Sequence, residues 1–384
     1  RQDDENPNLL IAGTEIGIYA SWNGGQTWES IQLNLPVTPI TDLMIKHDDI
    51  IIGTSGRSFW VLDDLGLLRQ EKPSKESLHL YKPEDAILVN GGSPLNSSNG
   101  KGTHPFVGVN PANGVVIYYQ IPSESEEELT LEIKDSNGNL VRKFSSKSDP
   151  DFQRYAGGPP PNPTISKKAG LNRFVWDMRH AIMPGIPVAY IEGSYRGHKI
   201  SPGTYSISLK MGENESSATA EIKPNPLYPT DAATYQVYHE FMSKIEDNLT
   251  DMHNRVNKLN DLRMKLKKVL KNMPDDADET LKSDGKALVK KMKEWDEEMV
   301  QRKSKAYDDV ENFENKFTAN WLFMINQTES DIPRVNQPSR DRYAELSEEW
   351  NRLKGISDGL LKTEIPVFNK RLWDAGIGAL WESK

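Results

Sequence analysis

The 384-residue chain contains no cysteine. Disulfides, thiolate nucleophiles and cysteine-ligated zinc are therefore excluded, while the compartment stays open, because envelope and cytosolic proteins can both do without disulfides. No run of about 18 apolar residues occurs, so no hydrophobic membrane-spanning helix is expected. GxSxG, Walker-type and GxGxxG motifs are missing too, which leaves serine hydrolases, P-loop enzymes and Rossmann enzymes without support. An excess of basic charge is also lacking: Lys and Arg number 47 against 56 Asp and Glu, and a net charge of -9 argues against a nucleic-acid binder. The opening RQDDENPN is polar and acidic, unlike a signal peptide, so it is expected to be a mature or internally cut start.

What is present divides into three regions, consistent with the two or three domains this length allows. Residues 1–68 read as short strands at 9–12, 16–20, 27–31, 40–45, 50–52 and 59–62, each bounded by Gly, Asn, Asp or Pro. Gly13-Thr14 in LLIAGTEIGIYAS recurs as Gly53-Thr54 in DIIIGTSGRSFWVL, about 40 residues later, the period of a four-stranded propeller blade. Residues 69–224 alternate polar loops such as NGGSPLNSSNGKG and YAGGPPPNP with strand-like runs at 115–120, 129–133, 140–144, 172–176, 204–209 and 218–222. About seven alternating strands predict a β-sandwich. Asp135-Ser136-Asn137-Gly138-Asn139 predicts a hairpin turn within it.

Over residues 225–384 the apolar period becomes helical. Tyr238, Met242, Ile245, Leu249, Met252, Val256, Leu259, Leu262, Leu266, Val269 and Met273 recur at steps of three and four, with Thr230-Asp231 as N-cap candidates and Pro274 as the stop. Further helices are predicted from Leu281, Leu288, Met292, Trp295 and Met299, from Phe313, Phe317, Trp321 and Met324, and from Tyr343, Leu346, Trp350, Leu353 and Leu360. Pro366 is expected to permit only a short new helical turn. Short links between such helices predict an antiparallel bundle.

The segment SWNGGQTW (21–28) fits the Asp-box pattern S-x-D-x-G-x-x-W, with Asn23 in place of the acid. Its chemistry is structural: Ser21 and Asn23 bond the backbone of a tight hairpin, Gly25 takes a left-handed conformation, and Trp28 is expected to pack between blades. A decayed copy, LDDLGLLR (62–69), keeps Asp64 and Gly66. Together with GTSGRSFWVLDD (53–64), GLNRFVWDMRH (170–180), SPGTYSISL (201–209) and IPVFNKRLWDAGI (365–377), these phrases carry a likeness over nearly the whole chain. It resembles the C-terminal part of secreted bacterial BNR/Asp-box propeller proteins, variously called sortilin-like, WD40/YVTN/BNR-like or "glycosyl hydrolase". The resemblance implies propeller blades, then an Ig-like or fibronectin-like sandwich similar to flagellar hook-capping modules, then helices. Residues 1–68 supply about one and a half blades where propellers need at least four. The open edges are then expected to be covered by a missing N-terminal propeller part or by another chain.

Candidate chemistry is sparse. A glycosidase needs two carboxylates across a sugar, and nothing in the sequence sets Asp63, Asp64 or Asp177 opposite another acid. A sialidase arginine triad cannot be assembled around Arg57. The histidines at 47, 79, 104, 180, 198, 239 and 253 show no HxH, HxxxH or HExxH spacing, and His239 and His253 lie about four turns apart on one helix. No metal site, cofactor or catalytic residue is therefore predicted. In NRFVWDMRH the expected roles are a sandwich core, with Asp177 and Arg179 pinning the next loop. The alternative is a ligand platform in which Trp176, Tyr190 and Tyr195 stack on a glycan or peptide. FTANWLFMI (317–325) is an apolar segment suited to a partner helix or to burial, and sequons occur at Asn96, Asn214, Asn248 and Asn326.

The expectation is a multidomain β plus α chain: incomplete propeller blades over 1–68, an Ig-like β-sandwich over 69–224 and a helical bundle over 225–384. It is read as the non-catalytic binding or assembly portion of an exported, Asp-box propeller protein, secreted or in a bacterial cell envelope. The rival readings are the accessory C-terminal half of a propeller glycoside hydrolase and a subunit of a cell-envelope or secretion assembly.

Overall fold

The computed structural model describes residues 1–89, 112–274, 277–329 and 333–378; the sequon at Asn96, His104 and the NGGSPLNSSNGKG loop lie outside them. The N-terminal region forms two small antiparallel sheets. One is ordered β1 (Leu10–Gly13), β2 (Ile18–Ser21), β3 (Glu29–Ser30), and the other β4 (Ile40–Lys46), β5 (Asp49–Thr54), β6 (Phe59–Leu62). Leu9, Ile11, Ile18 and Ala20 of the first meet Leu43, Ile50 and Ile52 of the second in one core. The sequence repeat superposes β1 and β2 on β5 and β6, because each Gly-Thr pair lies at the end of the first strand of its pair. What corresponds to β4 in the first sheet is the chain start: Arg1 and Ile11 exchange backbone bonds of 2.8 Å, and Gln2 bridges to Leu10. After β6 the segment LDDLGLLR runs into a short helix, α1 (Gly66–Arg69).

The middle region has two sheets facing one core. The larger runs β11 (Leu140–Ser145), β10 (Leu129–Lys134), β13 (Gly203–Met211), β14 (Asn214–Lys223), β8 (Ala86–Ile87), and the smaller β12 (Gly170–Trp176), β9 (Val115–Ile121), β7 (His79–Leu80). The period-2 pattern sends Ile117 and Tyr119 inward from β9, Leu131 and Ile133 from β10, and Ile207 and Leu209 from β13. The predicted hairpin turn closes β10 on β11, with Asp135 accepting backbone bonds from Asn137 (2.9 Å) and Asn139 (2.8 Å) and Gly138 at φ 83. The two-residue strands β7 and β8 carry too little pattern to be read from sequence.

The C-terminal region is helical: α2 (Ala232–Lys271), α3 (Glu279–Met299), α4 (Phe317–Thr328), α5 (Gln337–Gly359) and α6 (Ile365–Asp374). The Asp231 carboxylate caps α2, accepting from Thr234 N at 2.6 Å. Helices α2 and α3 run antiparallel: near their link Gly285 lets α3 approach so closely that a Cβ there would lie 2.6 Å from Leu270. The expected short turn at Pro366 is a ten-residue helix instead. A π-helical turn over Leu360–Glu364 joins α5 to α6, so the wider turn absorbs the proline's missing N–H without ending the helix. Phe313 falls outside α4, following a 3₁₀ turn at Tyr307–Glu311.

The boundary at 224 separates the cores only in part. The loop after β12 leaves the sheets and inserts Met183, Ile186, Ala189, Ile191 and Tyr195 into the helical core. Backbone bonds fix it there, His253 Nδ1 to Pro184 O at 2.7 Å, Asn257 Nδ2 to Gly185 O at 2.9 Å and Tyr190 N to Ser304 O at 2.9 Å. No helix among the described residues is long and apolar enough to cross a membrane.

Candidate functional site

The residues of SWNGGQTW (21–28) make the bonds their types predict. Ser21 Oγ accepts from Gly25 N at 2.8 Å and donates to Asn23 Oδ1 at 3.0 Å, while Asn23 Oδ1 accepts from Thr27 N at 2.9 Å. Gly25 has φ 93, as the turn requires. Trp28 departs from expectation: it folds back on its own turn, donating from Nε1 to Gly25 O at 3.1 Å, and stays 42% exposed. This constellation holds a hairpin together and offers no acid for catalysis.

The aromatic platform is not formed. Trp176 is fully buried between the sheets, edge-on to Tyr205 at 5.6 Å and donating to Arg179 O at 3.2 Å. Tyr195 is buried in the other core, among the helices, and only Tyr190 is half-exposed. Alternation along β12 sends Trp176 inward, and the insertion of the loop takes Tyr195 away from it, so the three rings share no face. The pinning role of Arg179 does hold, through Gly197 O at 2.9 Å and Glu329 Oε1 at 2.5 Å.

Two constellations emerge that spacing did not reveal. The first is an acidic cleft of about 530 Å³ between the N-terminal sheets and the middle region, lined by Asp48, Asp49, Asp63, Asp64, Glu84 and Asp85 with Tyr118 and Arg173. Burial, reinforced by neighbouring carboxylates, raises Asp63 and Asp49 above the usual range, and burial raises Glu84 likewise. Asp64 accepts from Tyr118 OH at 2.6 Å with Arg173 at 4.0 Å, so it fastens the two layers across the cleft. Burial first, then that bond, pushes Tyr118 up to about 12.

The second lies where the β12 loop meets α2. His180 and His198 stand at the two ends of the loop, drawn together by the bond from His180 N to His198 O at 3.0 Å, and α2 supplies His239 and Glu246. Glu246 receives His198 twice, from its backbone N at 2.7 Å and at its Nδ1 at 2.9 Å. His198 Nε2 then meets His239 Nδ1 at 2.8 Å, and His180 stacks on His198 with centroids 4.2 Å apart. Burial pushes Glu246 up to about 8 and both His198 and His180 down to about 3, favouring the neutral forms of these three. Among the described residues, His180, His198 and His239 are the one group whose donor atoms converge as metal ligands do, all within 4.8 Å of one another.

Local motif spacing could not find this cluster, whose members come from three places in the chain. One signal was present. His239, Glu246 and His253 recur every seven residues, which places a polar stripe along one face of the helix, beside its apolar seam. No family model matches the chain, and no curated protein matches it.

Proposed function

We propose that this chain is a non-catalytic binding or assembly portion of an exported Asp-box propeller protein, with its N-terminal sheets docked on further blades. The observation that carries the reading is the outer face of the β4–β6 sheet. Met44, Ile51 and Val61 stand side by side across it, with Phe59 beyond them, and Phe59 is 82% exposed. The opposite face, with Leu43 and Ile52, is already buried against the neighbouring sheet. A sheet apolar on both faces suits a blade stacked between two others. The position of the Asp-box between the third and fourth strand-like segments of the first sheet supports the same reading. An Ig-like character for the middle region belongs to this proposal, supported by two layers around Trp176, antiparallel except where the short β8 pairs in parallel with β14.

Residence outside the cytosol, secreted or in a bacterial envelope, goes with the proposal, as does the partner: propeller polypeptide, whether of the same protein or of another chain. Native mass spectrometry of the protein purified from its source is the test. Additional propeller polypeptide in the same particle is expected. A folded, partner-free monomer of these 384 residues overturns the reading.

The acidic cleft favours a second reading, the accessory half of a propeller glycoside hydrolase, because a carboxyl group raised by burial among other carboxyl groups suits acid–base work on a sugar. Turnover on a glycan panel by the intact protein, lost in Asp63→Asn, is its expected signature. Absence of turnover removes it.

A further inference from the structure

We infer that His180, His198 and His239 bind a zinc-class divalent metal ion that ties the β12 loop to helix α2. The donor set is the first argument. Three imidazoles and no cysteine suit Zn²⁺ and its late first-row neighbours, whereas Ca²⁺ and Mg²⁺ require oxygen ligands. The three donor atoms already lie within 4.8 Å of one another. Tetrahedral Zn–N bonds of about 2.0–2.1 Å place donor pairs roughly 3.3 Å apart. The 2.8 Å contact between His198 and His239 therefore opens slightly on binding, and the stacked His180 ring tilts inward. Both movements are side-chain rotations of half-buried rings, His180 and His239, around a fixed His198.

Glu246 is the second argument, because it fixes that central ring. Its two oxygens hold His198 by backbone and Nδ1 together, which turns Nε2 toward the other imidazoles. A carboxyl group behind a ligating histidine fixes the ring's orientation in this way. It also explains an expensive placement, a carboxyl group 8% exposed beside Ile245 and Leu249 in the apolar seam.

Electrostatics are the third. A divalent cation placed among the rings is favoured by acidic groups that face the cluster. Asp135 from the β10–β11 turn, Asp247 and Glu329 bring negative charge toward the cluster, offset by Arg142 and Arg179.

Untagged, chelator-treated protein titrated with CoCl₂ and then ZnCl₂ tests the site. Stoichiometric binding is expected, with the visible d–d bands of tetrahedral Co²⁺, their loss on adding Zn²⁺, and slower hydrogen exchange in residues 181–197. His180→Ala and His239→Ala, which remove half-buried rings and so spare the fold, are each expected to weaken binding by about 100-fold or more. Glu246→Gln is expected to weaken it by about 10- to 100-fold as a positioning residue. Circular dichroism confirms that each variant is folded. Failure of the folded wild-type protein to take up Co²⁺ or Zn²⁺ at millimolar concentration overturns the inference. Unchanged affinity in folded His180→Ala and His239→Ala does so equally.

Discussion

Arg69→Met tests what holds the N-terminal sheets together. Asp3 is 2% exposed, and its carboxylate accepts from Arg69 Nε at 3.0 Å and Nη2 at 2.8 Å, with a further bond from Asn6 N at 2.8 Å. The same guanidinium reaches Asp48 in the β4–β5 turn and Glu5 at 3.2 Å, so α1, the first strand-like segment and the second sheet meet on one side chain. Burial alone would raise the Asp3 pKa, but the Arg69 bonds outweigh it and hold it below 3.8. Methionine keeps much of the apolar stem and removes the charge. Two charge-assisted bonds at about 1.5–3 kcal/mol each, lost from a buried carboxylate, predict a destabilisation of about 3–5 kcal/mol. The double variant Asp3→Asn, Arg69→Met leaves no buried ion and is expected within about 1 kcal/mol of wild type. Because the described residues pack into three cores, the measurement is local: native-state hydrogen exchange of the β1, β2, β4 and β5 amides in low urea. The pH dependence follows from the sign of the shift. A depressed carboxylate stabilises above its unfolded value and loses that contribution as pH falls through the folded one, so the wild type loosens here below about pH 3.8. A cost under about 1 kcal/mol for Arg69→Met, or a double variant as unstable as the single, refutes the reasoning.

His253 is fully buried, and burial, only partly offset by its bond to Pro184 O, lowers it to about 4. A histidine depressed from 6.5 stabilises above pH 6.5 and loses that contribution as pH falls toward 4, on the order of 3 kcal/mol by linkage. His253→Gln is therefore expected to flatten the acid limb of the helical core's urea stability by about one proton, and an unchanged slope contradicts it. In the Ser21–Trp28 turn, Asn23→Asp keeps acceptors for Thr27 N and the Ser21 hydroxyl, whereas Asn23→Ala keeps neither. The expected costs by urea denaturation are under about 0.5 kcal/mol for aspartate and about 1–2 kcal/mol for alanine; equal costs contradict the bonding assigned to the turn.

Much of the architecture was legible because it rests on local periodicity. Phe59, Trp60, Val61 and Leu62 were bounded by turn residues and form β6 as expected, and the seam from Tyr238 through Leu266 is buried on one helix. What failed did so where a distant partner overrode a local rule. Pro366 reads as a stop, but the π-helical turn before it carries the helix onward so that Ile365, Phe368 and Leu372 can reach the helical core. Trp176 and Tyr195 read as neighbours in an aromatic phrase, yet the loop between them crosses from one core to another.

The histidine cluster shows the same limit from the opposite side. Motif spacing finds metal ligands only when one element supplies them, as two residues four apart on a helix face do. Here His180 and His198 become neighbours because the loop they flank closes on itself, and His239 joins them because that loop docks on α2. The helix still recorded the event. Glu246 occupies a position on the buried face where leucine would pack at lower cost, seven residues from His239 and seven from His253, and all three face the incoming loop, through His198 and Pro184. A polar stripe at heptad spacing inside an apolar seam is thus the trace of a polar segment packed against it. Its chemistry becomes readable only when the segment's identity is known.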